Sequence, residues 1–75
     1  MDFKYSDSYI KLGLNIIYYR KYNNFTIENL ATAIGKSKQH LGEIENGGSA
    51  PSIKVMLDIS KALETPIHKF FIFRD

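Results

Sequence analysis

At 75 residues the chain holds a single small domain that buries only about 60% of its unfolded surface, so its stability is modest and dimerisation is a natural support. It contains no cysteine, which excludes a disulfide framework, a cysteine-ligated zinc and a cysteine nucleophile, and fits a reducing compartment. A net charge of +2 and a pI near 8.9 lean only weakly toward an anionic partner, and the 44% of hydrophobic residues is scattered, never approaching the run of ~20 that a membrane span needs.

The first stretch, "MDFKYSDSY", lacks the basic-then-apolar order of a signal peptide, and a soluble, cytoplasmic protein without membrane association is expected. Tyr9, Leu12, Ile16 and Tyr19 recur at spacings of three and four, which predicts a first helix capped by Ser6, Asp7 or Ser8. After the polar "KYNN", Thr26 is positioned to cap a second helix with Ile27, Leu30, Ala31 and Ile34 on one side. Gly35 follows where a helix stop requires positive φ, and Ser37 offers the next cap. A third helix is predicted from Lys38 to about Asn46, with Leu41 and Ile44 inward and Gly47-Gly48 at its end. "SAPS" leads to a fourth helix capped by Ser52, with Ile53, Met56, Leu57, Ser60 and Leu63 at helical spacing. Thr65-Pro66 restarts the chain into "PIHKFFIF", a final short helix in which "FFIF" alone also reads as a strand.

Charge is distributed unevenly. Arg20, Lys21, Lys36 and Lys38 face only Glu28 between positions 20 and 40, whereas Asp58, Glu64 and Asp75 lie in the final third. Hydrophobic residues are also in surplus: Ile10, Leu14, Ile17 and Tyr18 form a second stripe on helix 1, and Phe70, Phe71, Ile72 and Phe73 crowd the C-terminus. The expectation is that the last element folds back on helix 1 with Phe70 in the core, while Phe71 or Phe73 faces a second copy in a homodimer.

From Leu12 to Phe71, through "LGLNIIYYR", "TIENLATAIGKSKQHLGEIENG" and "APSIKVMLDISKALETPIHKFF", the sequence resembles the lambda-repressor and Cro-like (XRE) helix-turn-helix family. Ala31 is small where helix 3 crosses helix 2, Gly35 makes the turn, and Leu41 with Ile44 anchors helix 3 from beneath. The resemblance implies an all-α, compact five-helix DNA-binding domain over residues 1–75, with the helix-turn-helix at helices 2 and 3, about residues 27–46. It also implies a dimer on double-stranded DNA with helix 3 in the major groove, on half-sites about one helical turn apart.

On that footing Lys38, Gln39, His40, Gly42 and Glu43 are the candidate base-reading residues. Gln39 can pair with adenine N6 and N7, Lys38 can reach guanine or a phosphate, and Glu43 can accept from cytosine N4. Lysine and glutamine on a helix exterior are more often simply solvated; it is their place at the front of this helix that favours readout. Gly42 either lets DNA approach or relieves crowding within the chain. Phosphate contacts are expected from Thr26, Lys36, Ser37, Asn46, Ser52 and Lys54, around helix N-termini and the turn. The resemblance further pairs Arg20 with Glu45 as an ion pair setting helix 3 against helix 1. Three departures thin the phosphate contacts: Ile27 stands where the family often has glutamine, "GGSAPS" replaces a basic loop, and Lys36 replaces an aliphatic turn residue.

The function implied is a stand-alone transcriptional regulator binding a palindromic operator, in the manner of small phage or plasmid repressors and restriction-modification controllers. The alternative is a protein-interaction module that keeps the fold with weak or no DNA binding. An enzyme is not expected. There is no HExxH or Walker loop, His40 and His68 lie alone without metal-ligand spacing, and neither a metal, a cofactor nor a small-molecule ligand is implied.

Overall fold

The computed structural model describes residues 3–73. Four α-helices carry the fold: α1 Ser6–Tyr22, α2 Ile27–Ala33, α3 Lys38–Glu45 and α4 Ile53–Ala62, with 3-10 turns at Phe3–Tyr5 and Ile67–Phe71. None of the helices among the described residues is long and apolar enough to cross a membrane.

Local chemistry sets most boundaries. Thr26 Oγ1 accepts from the Asn29 amide at 3.0 Å, Ser37 Oγ from the His40 amide at 3.0 Å, and Ser52 Oγ from the Val55 amide at 3.1 Å. Each satisfies one of the amides a helix start leaves without an intrahelical partner. Gly35 (φ 69°) turns the chain after α2, and the Lys36 amide donates back to the Ala31 carbonyl at 2.9 Å. The start of α1 differs from expectation. The Phe3–Tyr5 turn feeds directly into Ser6, Tyr5 occupies the cap position, and no side chain caps it.

The core joins all the main elements: Leu12 and Ile16 of α1, Leu30, Ala31 and Ile34 of α2, Leu41 and Ile44 of α3, Val55, Met56, Ile59 and Leu63 around α4, and Phe70. Phe70 is 0% exposed and meets the Tyr19 ring edge-on, centroids 5.3 Å apart. The phase of α4 is a correction. Ile53 and Leu57 are 68% and 53% exposed, while Val55 and Ile59 are buried. Two overlapping stripes run along this helix, and its packing on α2 and the C-terminal turn selects the one containing Val55 and Ile59.

The expected fifth helix is a single 3-10 turn, with the Lys69 amide donating to the Pro66 carbonyl at 3.0 Å. It is followed by extended backbone at Ile72. Asn15 holds this segment against α1. Its Nδ2 donates to the carbonyls of Phe70 (2.8 Å) and Ile72 (3.0 Å), so two acceptors of the C-terminal segment are satisfied from α1.

Two backbones come close where α1 meets the end of α3. A Cβ at Gly13 would lie 2.8 Å from the Ile44 carbonyl oxygen and closer still to that of Glu45, so α3 can rest on α1 here only because residue 13 has no side chain. Gly13→Ala is therefore expected to cost about 1–3 kcal/mol through overpacking. Urea unfolding would register it as a lower midpoint with an unchanged slope.

Candidate nucleic-acid interface

α3 is eight residues long and its two sides differ sharply. Leu41, Ile44 and Glu45 are buried; Lys38, Gln39 and Glu43 are exposed, with His40 and Gly42 half-buried between them. α2 and the Gly35 turn bring the start of α3 back across α2, and α1 supports its far end. The helix thus stands on an apolar and ionic base with its polar side outward.

Arg20 and Glu45 form that ionic base. Arg20 Nε donates to Glu45 Oε2 at 2.7 Å and Nη2 donates to Oε1 at 3.2 Å, a bidentate arrangement that fixes orientation as well as distance. Nη1 also donates to the Phe25 carbonyl at 3.1 Å, so one guanidinium joins α1, the α1–α2 loop and the end of α3. The side chains are only 11% and 6% exposed.

Gly42 has room. A Cβ there would meet only Ile27 Cδ1, at 3.8 Å, which is ordinary contact. Relief of crowding inside the chain therefore does not explain this glycine.

Several of the sequence-derived phosphate candidates already have partners. The oxygens of Thr26, Ser37 and Ser52 accept cap hydrogen bonds, and Thr26 Oγ1 also donates to Asn29 Oδ1 at 2.6 Å. The hydroxyl protons of Ser37 and Ser52 can still be donated outward. Asn46 Oδ1 accepts from the Gly48 amide at 2.8 Å, leaving its Nδ2 as the donor. Lys54 Nζ lies 3.0 Å from Asp58 Oδ2, so its charge is answered on its own helix. Lys38 Nζ lies 3.2 Å from Glu28 Oε2. Lys36 is exposed in the turn.

Away from this face, Phe71 is 45% exposed while Phe73 packs partly against the core. Leu14, Tyr18 and Ile72 are also exposed. With Tyr19, Phe73 and Lys69 they line a groove of about 310 Å³ between α1 and the C-terminal segment. The expected mutual cover of the two hydrophobic surpluses is therefore incomplete.

Three residues that matter to this geometry were not singled out by sequence reasoning. Gly13 permits the α1–α3 contact, Asn15 ties down the C-terminal segment, and Glu28 pairs with Lys38. A glycine and an asparagine inside an otherwise regular helix are signals in principle, since both lower helix propensity. Glu28 carried none beyond being the lone acid in a basic stretch.

The sequence model of the helix-turn-helix family HTH_3 matches residues 16–70, a span that includes α2, α3 and α4. An uncharacterized HTH-type transcriptional regulator of Methanocaldococcus jannaschii is 40% identical over 58 residues, covering 77% of this chain and 88% of that protein. The restriction-modification controller protein C.AhdI of Aeromonas hydrophila shares the fold, with a TM-score of 0.83 at 23% identity, over 87% of this chain and 98% of its own. An HTH_3 family transcriptional regulator from Vibrio cholerae superposes with a TM-score of 0.79 at 29% identity, over 88% of this chain but 37% of its own.

Removing one member of the Arg20–Glu45 pair strands a nearly buried charge, so Arg20→Ala or Glu45→Ala alone is expected to cost about 3 kcal/mol or more. The double variant should lose clearly less than the sum. A double-mutant cycle by denaturant unfolding measures the coupling.

Proposed function

Because this chain belongs to the HTH_3 helix-turn-helix family, we propose that it is a sequence-specific DNA-binding transcriptional regulator whose helix-turn-helix is formed by α2, the Gly35 turn and α3. The observation that carries this reading is the two-sidedness of α3: Lys38, Gln39 and Glu43 point away from the protein while Leu41, Ile44 and Glu45 are buried. α3 enters the major groove with Gln39 as the principal base reader, pairing with an adenine, and with Lys38 reaching guanine. His40 flanks them, and the open space beside Gly42 lets the groove wall come close. Glu43 takes a cytosine amino group, the partner that offsets its repulsion from phosphates.

Phosphates are held by Lys36, by the serine hydroxyls at the starts of α3 and α4, by Asn46 Nδ2, and by amides near the Thr26 cap. Lys54 contributes where it can leave Asp58. This is a small set of cations, and so two copies bind together. The protein acts as a homodimer on a palindromic operator, repressing or controlling transcription by occupancy. The second copy sits against the exposed apolar surface around Phe71, with Phe73 at its margin. The thin cation set equally favours a second reading, in which the domain binds another protein and DNA only feebly.

Selection of bound duplexes from a random pool tests the first reading: a palindromic sequence is expected. Binding to that sequence should weaken steeply with salt, and Gln39→Ala with Lys38→Ala should abolish selectivity, each lost base contact being worth about 1–3 kcal/mol. No binding at low salt favours the protein-interaction reading. Sedimentation should show a dimer that Phe71→Glu converts to monomer; a wild-type monomer at high micromolar concentration would remove the dimer from the proposal.

A further inference from the structure

The Lys38–Glu28 pair crosses between helices. Glu28 stands in the first turn of α2 and Lys38 in the first turn of α3, and their side chains, 61% and 63% exposed, meet at 3.2 Å. The pairs Lys11–Asp7 and Lys54–Asp58 instead join residues four apart on one helix. The Glu28 carboxyl is held below its ordinary range, first by a hydrogen bond from its own backbone and then by Lys38, so it is an anion at neutral pH. An exposed pair of this kind contributes little to folding stability. Its consequence is for what Lys38 can do.

A free lysine ammonium is a flexible point charge that neutralises whichever phosphate it meets and releases a counterion, and such contacts supply the sequence-independent part of DNA affinity. Lys38 has its charge answered within the chain and must give up that partner before it can take a phosphate. The carboxylate also limits where the ammonium swings, keeping it over the start of α3. A guanine edge offers its acceptors at one place relative to α3, whereas phosphates can be reached in many registers. Restraint therefore penalises the second kind of contact more than the first.

We infer that Glu28 is a specificity-determining residue that acts through Lys38, withholding its ammonium from phosphates and lowering affinity for arbitrary DNA more than affinity for the selected site. The inference rests on the DNA-binding reading above and deepens it. In this scheme Glu28 touches no base and is a positioning residue.

Glu28→Gln keeps the size of the side chain and removes its charge. Binding of the full chain to a random-sequence duplex and to the pool-selected duplex is measured between roughly 50 and 200 mM salt. The expected result on the random duplex is a salt slope steeper by about 0.9 for each bound protomer, the value of one added phosphate contact and so about 1.8 for a dimer, which is roughly a threefold larger change in affinity per protomer across that range. Selectivity for the chosen duplex should fall by a similar factor. In a Lys38→Met background, Glu28→Gln should leave the slope unchanged. An unaltered slope in Glu28→Gln overturns the inference, and so does equal steepening in the Lys38→Met background, because the carboxylate would then act by its own repulsion. Wild-type protein that binds no duplex at the lowest salt brings down the DNA-binding reading, and the inference with it, a result distinct from normal wild-type binding with an unaltered slope.

Discussion

The end of α3 rests directly on α1, and the orientation of the polar face follows from that contact. Two features make it possible. Gly13 removes the side chain that would otherwise collide with the carbonyls of Ile44 and Glu45, and Arg20 grips the Glu45 carboxylate through two of its nitrogens. Backbone against backbone is a stiff contact, since neither side can yield by changing rotamer. The bidentate pair adds an angular constraint that apolar packing lacks. Leu41 and Ile44 then bury the inner side of α3, and Lys38, Gln39 and Glu43 are left outside. Stabilisation of an isolated ion pair is a poor reason to keep one buried; fixing the tilt of an eight-residue helix is a better one.

Polar groups in this small domain serve twice. Ser37 and Ser52 cap helices through their oxygens while keeping a proton to donate, and Asn46 uses its oxygen to order the loop after α3 while keeping its amide nitrogen. Cations are handled differently. Arg20, Lys38 and Lys54 each have a carboxylate partner, so part of the positive charge visible in composition is answered within the chain. Affinity for a polyanion then depends less on net charge than on which pairs can open.

The hydrophobic surplus is settled only in part. Asn15 and the edge-on contact of Tyr19 with Phe70 hold the C-terminal segment on α1, yet Leu14, Tyr18, Phe71 and Ile72 stay open to solvent. A chain of this size has too little interior for every apolar side chain it carries. Of the side chains left outside, Leu14, Tyr18 and Ile72 line the groove between α1 and the C-terminal segment, where association with another molecule would bury them at no cost to the core.

Features governed by residues within four positions of one another were legible from the chain alone. Thr26, Ser37 and Ser52 cap the amides three residues ahead, Gly35 turns the chain where φ must be positive, and Leu41 with Ile44 marks the inner side of α3. Each is a short-range bond or a single-residue torsion, so its cause lies in the adjacent sequence. Tertiary packing decided the rest. α4 carries two apolar stripes sharing Met56 and Leu63, and the neighbours of α4 chose between them. The last element is a 3-10 turn, and Asn15, on a helix distant in sequence, donates to the carbonyls of Phe70 and Ile72. Gly13 and Glu28 drew their roles from Glu45 and Lys38, partners brought near only when α3 docks. Periodicity reports which side of a helix is apolar; it carries no information about which remote backbone or charge will lie against that side.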